Sequence, residues 1–269
     1  VDIDAETLNL DPAKIEEAIS EKTTAIMPVH CYGRPCDVDA IKKIADQYGL
    51  RVIYDAAHAF GVECEEGGSL LNHGDLSILS FHATKVFNTF EGGAIICPDA
   101  DTKVHIDRLK NFGHEGESSV VALGINGKMS EFNAALGLLQ LDHIEQALGK
   151  RKKIDSLYRS QMENVRGVHC LGNSGVKVGN YSYFPILVNN DYAISRDDLY
   201  HKLKEHGIHP RRYFSPLISD FPMYSGFSSA GRDNLPVAAK SADSILCLPI
   251  YPDLAIADVN RIIELIAEQ

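Results

Sequence analysis

The sequence predicts an α/β fold, with a mostly parallel sheet in a large domain and a smaller α+β domain after it. Three observations predict it. Short apolar runs alternate with helical stretches through the first hundred or so residues, the order expected of parallel strands joined by crossovers. No proline occurs between Pro98 and Pro185, which leaves room for a long helical stretch between two halves. Beyond that stretch the order becomes mixed strands and helices. The expected division is 1–135 for the large domain and 136–269 for the linking helix and small domain.

The elements follow in order. Asp11-Pro12 reads as a helix start, with Ile15, Ala18 and Ile19 on one face. Residues 24–29 form a short apolar run bounded by polar residues, a buried strand. Asp37 caps a helix whose apolar face is Val38, Ile41, Ile44 and Ala45, and Gly49 stops it. Residues 51–54, 76–81 and 93–97 read as strands, the last closed by Pro98. Ser130 caps a long helix, expected to be bent, with Phe132, Leu136, Leu139, Ile144 and Leu148 on one face. The run Lys150-Arg151-Lys152-Lys153 interrupts that face and reads as solvated; Ile154, Leu157, Tyr158 and Met162 resume it. Residues 181–188 form a strand, Ser195 caps a helix through Glu205, and residues 208–214 are extended. Asp258 begins a last amphipathic helix with Val259, Ile262, Ile263 and Ile266.

The formal net charge of -11 over 269 residues argues against a nucleic-acid footprint, while leaving room for a local basic pocket. No apolar run reaches bilayer length, and no signal-peptide pattern opens the sequence. The six cysteines show neither C-x-x-C pairing nor zinc spacing, so reduced thiols and a cytoplasmic location are expected. The histidines form no metal-binding pattern, and no metal is expected. The opening Val1-Asp2-Ile3-Asp4 reads as a strand entered midway, so a piece of a longer protein, or a numbering that begins inside one, is expected.

Chemistry concentrates at two strand ends. One strand ends in Ser80-Phe81-His82-Ala83-Thr84-Lys85, followed by Glu91-Gly92-Gly93. About thirty residues upstream, another ends in Asp55-Ala56-Ala57-His58. In open α/β sheets ligands sit beyond the carboxyl ends of the strands. An amine and a carboxylate delivered there suit pyridoxal 5'-phosphate (PLP): the amine forms a Schiff base, and the carboxylate keeps the pyridine nitrogen protonated.

These residues resemble the DegT-type sugar-nucleotide aminotransferases, which are fold-type-I PLP enzymes. Four ordered motifs carry the resemblance across essentially the whole chain: Val29-His30-Cys31-Tyr32-Gly33, Asp55-Ala56-Ala57-His58-Ala59, Ser80 to Lys85 with Gly92-Gly93, and Gly124-Ile125-Asn126-Gly127-Lys128-Met129-Ser130. The resemblance implies that Lys85 carries the cofactor and afterwards moves the proton between substrate and cofactor carbons. It implies Asp55 as the pyridine-nitrogen partner, His58 near the cofactor ring and Ser80 as a phosphate contact. Asn126 would reach the phosphate from a neighbouring subunit, in a homodimer with shared active sites. His82 and Asn88 would shape the sugar pocket, and Arg211 and Tyr213 would meet the nucleotide sugar.

The residues themselves leave plainer readings open. Asp55 also suits a helix cap, Asn126 a glycine-flanked turn, His82 and Asn88 the turn around Lys85, and Arg211 an exposed basic turn. By the resemblance, the substrates are L-glutamate and a nucleotide-linked 4-keto-6-deoxyhexose. The run Phe87-Asn88-Thr89-Phe90-Glu91 is most similar to that of enzymes making dTDP-4-amino-4,6-dideoxyglucose. Transamination at carbon 3 is the alternative, and a non-catalytic PLP-fold binding protein is another. The related dehydratases carry histidine in place of the lysine, and Lys85 counts against them. The family's N-terminal part, which supplies a phosphate-cradling loop and a ring-stacking aromatic residue, is missing from the chain.

Overall fold

The computed structural model describes residues 1–268. A four-stranded sheet is built from β1 (Ala25–Ile26), β2 (Arg51–Asp55), β3 (Leu76–Ser80) and β4 (Gly93–Ile96), in that spatial order. The first three strands are parallel and β4 is antiparallel to β3. The expected strand at 24–29 is shorter than predicted: beyond β1, a single parallel bridge joins Val29 to Asp55.

Between β1 and β2 lies α1 (Val38–Tyr48), whose ends are as its sequence dictates. The Asp37 carboxylate accepts the Ala40 N–H, and Gly49 closes the helix in the left-handed region at φ 64°. Ile41 and Ala45 of α1 pack on Ile26, Val52 and Tyr54 of the sheet. Each fully buried aliphatic side chain there contributes roughly 1.5–3 kcal/mol. Asp11-Pro12 does begin helical structure, but only as two short 3-10 turns, Pro12–Lys14 and Glu16–Ala18.

After α2 (Ala100–Lys110) comes α3 (Glu131–Leu141), capped by Ser130 as expected. The single long helix of the sequence reading is two helices. α3 stops at Asp142, and α4 (Ile144–Met162) starts after His143. Asp and His adjacent to each other are weak helix formers, and Asp competes for backbone hydrogen bonds. The solvated reading of the basic run also needs correction. Lys150, Lys152 and Lys153 are exposed, but Arg151 is buried. It shares the inward face of α4 with Ile154, Asp155 and Tyr158, three, four and seven residues on.

The second sheet contains β5 (Val168–Cys170), β6 (Phe184–Val188) and β7 (Ile245–Leu248), antiparallel in the order β7-β6-β5. It packs with α4, α5 (Arg196–Glu205) and α7 (Ile256–Ala267) around Tyr158, Phe184, Ile186, Leu199, Leu203 and Ile262. α6 (Pro236–Ser244) leads into β7. A short antiparallel ladder of Glu63–Cys64 with Val176–Val178 ties the two halves of the chain together.

The candidate active site

Asp55 is the last residue of β2, and Ser80 is the last of the neighbouring parallel strand β3. In the ladder Asp55 pairs with Ile78, so Ser80 lies two residues further along the same direction. The chain then loops through Lys85 and returns at Gly93, opposite Ser80. Short bonds hold this loop. The Lys85 N–H donates to the His82 carbonyl, the Thr89 N–H to the Phe81 carbonyl, and the Thr89 hydroxyl to the Glu91 carbonyl at 2.8 Å. Phe87 anchors it from below, buried and stacked on Phe60. Gly92 is required by closeness: a Cβ there would sit 2.6 Å from Thr89 Oγ1, at φ +152°.

Lys85 is half-buried, and its Nζ lies 3.4 Å from the Tyr183 phenol oxygen. Burial lowers the pKa of the amine, and the Asp55 carboxylate opposes that shift. The two groups therefore share one electrostatic environment. One oxygen of Asp55 accepts the Ala57 N–H at 3.0 Å; its other oxygen accepts no hydrogen bond among the described residues.

His58 is buried, and its Nδ1 accepts the Tyr32 amide N–H at 3.1 Å. Its ring stacks on Phe214, with centroids 5.6 Å apart, and meets the Tyr183 ring edge-on at 4.8 Å. Burial, then the nearby Lys85 charge, lowers its pKa to about 3. The loop carrying it is tied to the second half of the chain by Asn180, whose amide donates to the carbonyls of His58 (2.7 Å) and Phe60 (2.9 Å). Ser80 Oγ accepts the His82 N–H at 3.3 Å, which leaves its own proton free to donate.

The remaining predicted residues divide. Tyr213 joins the site: its carbonyl accepts the Tyr32 hydroxyl at 2.6 Å, and its ring lies 6.0 Å from that of Tyr183. His82 is exposed, its Nδ1 2.9 Å from the Thr84 hydroxyl, and Asn88 donates to the Lys85 carbonyl at 3.4 Å. Both brace the lysine loop. Arg211 is exposed, with its backbone paired to Cys247. Asn126 is exposed too, and its side-chain oxygen accepts from Lys128 at 2.8 Å. Among the described residues Asn126 makes no hydrogen bond or ring contact with Lys85, Asp55, His58 or Ser80; its backbone pairs with Asn111 instead.

Three residues that surround the site were not singled out from sequence, Asn180, Tyr183 and Phe214, and Tyr32 entered only as part of a motif with no role given to it. A signal existed for one of them. Tyr181 and Tyr183 alternate at the head of an expected strand, which puts both on one face.

A carboxylate with an oxygen to spare at the end of β2, a hydroxyl free to donate at the end of β3 and an amine on the loop that follows fit PLP. The class defined by fold and site is a PLP-dependent transferase built on an α/β sheet. Residues 1–267 match the DegT/DnrJ/EryC1/StrS aminotransferase family, and the chain belongs to it. It is 53% identical over 266 residues to the dTDP-4-amino-4,6-dideoxy-D-glucose transaminase of Escherichia coli, covering 99% of this chain and 72% of that one. The enzyme of the same name from Shigella dysenteriae is 52% identical, with 100% and 72% covered. Among solved structures, DesI in the presence of its TDP-sugar product superposes with a TM-score of 0.92 at 36% identity, covering 99% of this chain and 67% of that one. A sugar aminotransferase described as putative, Spr1654 from Streptococcus pneumoniae, in its PLP form, gives 0.90 at 26% identity, with 99% and 73% covered. The expected fold class, the family and its PLP dependence are borne out. No described helix is long and apolar enough to cross a membrane.

Proposed function

We propose that this chain transfers an amino group from L-glutamate to carbon 4 of dTDP-4-dehydro-6-deoxyglucose, giving a 4-amino-4,6-dideoxy sugar nucleotide. The observation that carries this reading is the 52–53% identity, over 99–100% of the chain, to transaminases named for that product. It favours carbon 4 over carbon 3.

Bound PLP supplies an electron sink that stabilises negative charge at the substrate carbon. Lys85 would be the residue that holds the cofactor, and its amine would be the group that takes up and gives back the substrate proton. Burial moves its pKa downward, toward the form that can act as a base, and Asp55 opposes the shift. The free oxygen of Asp55 would keep a proton on the pyridine nitrogen. Ser80 would donate to the cofactor phosphate, and His58, a neutral imidazole, would lie near the ring. Tyr213, beside Tyr32 and Tyr183, and the exposed guanidinium of Arg211 meet the sugar and its diphosphate. His82 and Asn88 act on the sugar pocket by keeping the lysine loop in shape.

Asn126 completes the phosphate site from a second copy of the chain. A contiguous stretch around it supports a homodimer: Leu123, Ile125, Phe132, Leu138 and Leu139 are 96%, 71%, 75%, 69% and 64% exposed. Large apolar side chains clustered at a surface mark interaction sites. Six free thiols fit the reducing cytoplasm.

The test is an absorbance titration with PLP and then L-glutamate, for wild type and Lys85→Ala. A visible band that bleaches with glutamate, and only with Lys85 present, is the expected result; a lysine-independent band overturns the assignment. Product NMR after feeding the 4-keto and 3-keto sugar nucleotides decides the carbon.

A further inference from the structure

We propose that Tyr183 is the positioning residue of Lys85: its phenol holds the lysine amine in place and sets how readily that amine takes up a proton. The phenol oxygen is 3.4 Å from Nζ, and no other hydrogen-bond partner of that nitrogen occurs among the described residues. The role assigned to Lys85 above underlies the functional meaning of this contact, but the contact itself does not depend on it.

Tyr183 is placed for the task by the segment before it, which is fixed at every residue. Asn180 donates to the carbonyls of His58 and Phe60. The Ser182 N–H donates back to the Asn180 side chain, and the Ser182 hydroxyl donates to the Tyr32 carbonyl at 3.1 Å. Arg151 donates to the carbonyls of Tyr181 and Ser182. Around the ring stand Tyr32, His58, Tyr213 and Phe214, which leave it little freedom to rotate away. The second half of the chain thus delivers one oxygen to an amine carried by the first half.

The chemistry fits a holder rather than a base. Burial raises the phenol's pKa, and the nearby Cys247, Tyr213 and Cys31 reinforce the shift while Arg151 opposes it. Tyr183 therefore remains a neutral phenol. Its oxygen accepts from the ammonium form of Lys85, and its O–H can donate to the free amine. Two further groups face the amine: Asp55, from the end of β2, favours the ammonium, and His58, from the turn after it, is held neutral. Removing the phenol oxygen strips the half-buried ammonium of its hydrogen-bond acceptor while leaving these two in place.

The experiment uses cofactor-free protein. Lys85 is labelled competitively with acetic anhydride across a pH series, and its modified peptide is quantified by mass spectrometry. In Tyr183→Phe, which keeps every ring contact, the labelling midpoint should move to lower pH by about 0.5 unit or more. Tyr181→Phe, the neighbouring phenol with no contact to Lys85, should label like wild type. Tyr183→His, which restores an acceptor at the position, should recover part of the shift. An unmoved midpoint in folded Tyr183→Phe overturns the proposal, as does an equal shift in Tyr181→Phe. Failure of the cofactor reading would show separately, as a visible PLP band that survives Lys85→Ala.

Discussion

The amide N–H of Tyr32 donates to Nδ1 of His58 at 3.1 Å, which puts the neutral imidazole's proton on Nε2. A backbone amide cannot give up its proton, so protonating His58 at Nδ1 requires breaking this bond. Burial and the Lys85 charge act in the same direction and bring the pKa to about 3.

That shift makes acid stability the first prediction. The folded value lies below the ordinary value of 6.5, so between the two the unfolded chain binds the proton and the folded chain does not. The contribution is complete above the unfolded pKa and is lost as pH falls towards the folded one. Over the two pH units below 6.5 the loss is about 2–3 kcal/mol. His30 is buried and similarly depressed to about 3, and it adds a parallel loss. His58→Asn keeps an acceptor for the Tyr32 amide but removes one titration. Urea midpoints at pH 7, 5.5 and 4.5 should fall less steeply for the variant; equal slopes would refute the assignment.

Asp55→Asn should separate cofactor uptake from turnover. The amide oxygen still accepts the Ala57 N–H, so the loop after β2 keeps its shape. What disappears is the negative charge that the proposed function assigns as partner to the pyridine nitrogen. Loss of one preorganised electrostatic partner of a reacting centre costs on the order of 100- to 1000-fold. Stopped-flow bleaching of the PLP band by L-glutamate should slow by that factor while the band itself still forms. Bleaching at the wild-type rate would mean that another group holds the pyridine proton.

Gly33→Ala tests whether the site depends on close backbone approach. Gly33 has φ +77°, and a Cβ would stand 2.6 Å from the His58 carbonyl oxygen and 3.0 Å from Asn180 Oδ1. Backbone strain and overpacking together should destabilise the fold by roughly 1–3 kcal/mol. Because the clash falls on the His58 loop, PLP affinity should weaken as well. Calorimetry and a PLP titration measure the two effects, and a variant with wild-type stability would contradict the packing described.

How much of this was legible in sequence depends on the range of the interaction. Asp55, Ser80 and Lys85 could be placed at strand ends because strand runs and their terminating turns are local signals. The caps at Asp37, Ser130 and Ser195 were legible for the same reason, since a side chain and an N–H two or three residues on decide them. Tyr183 and Asn180 were not, because their partners lie 98 and more than 100 residues away. The face of α3 was read correctly as apolar. Nothing in its periodicity told that Phe132 and Leu139 would be exposed in the single chain, because a repeat of 3.6 residues specifies a face and not its partner.

Arg151 shows the same limit from the other side, and it yields the last prediction. In a run of four basic residues its composition marks it as solvated. Its phase on α4 instead turns it inward, where its guanidinium donates to the carbonyls of Tyr181, Ser182 and Ile250. Burial lowers its pKa to about 10, which still leaves it charged at neutral pH. Arg151→Met fills similar space and removes the charge, but it leaves three carbonyls without this donor. Unsatisfied buried acceptors cost about 1–3 kcal/mol each at most, and part of that is recovered by removing a buried ion. A net loss of about 2–4 kcal/mol in urea unfolding is expected, with Lys152→Ala close to wild type. Since two of the three carbonyls belong to the segment that carries Tyr183, the Lys85 labelling midpoint should move in Arg151→Met in the same direction as in Tyr183→Phe. A variant that loses stability but keeps the wild-type midpoint would show that Arg151 braces the fold without aiming the phenol.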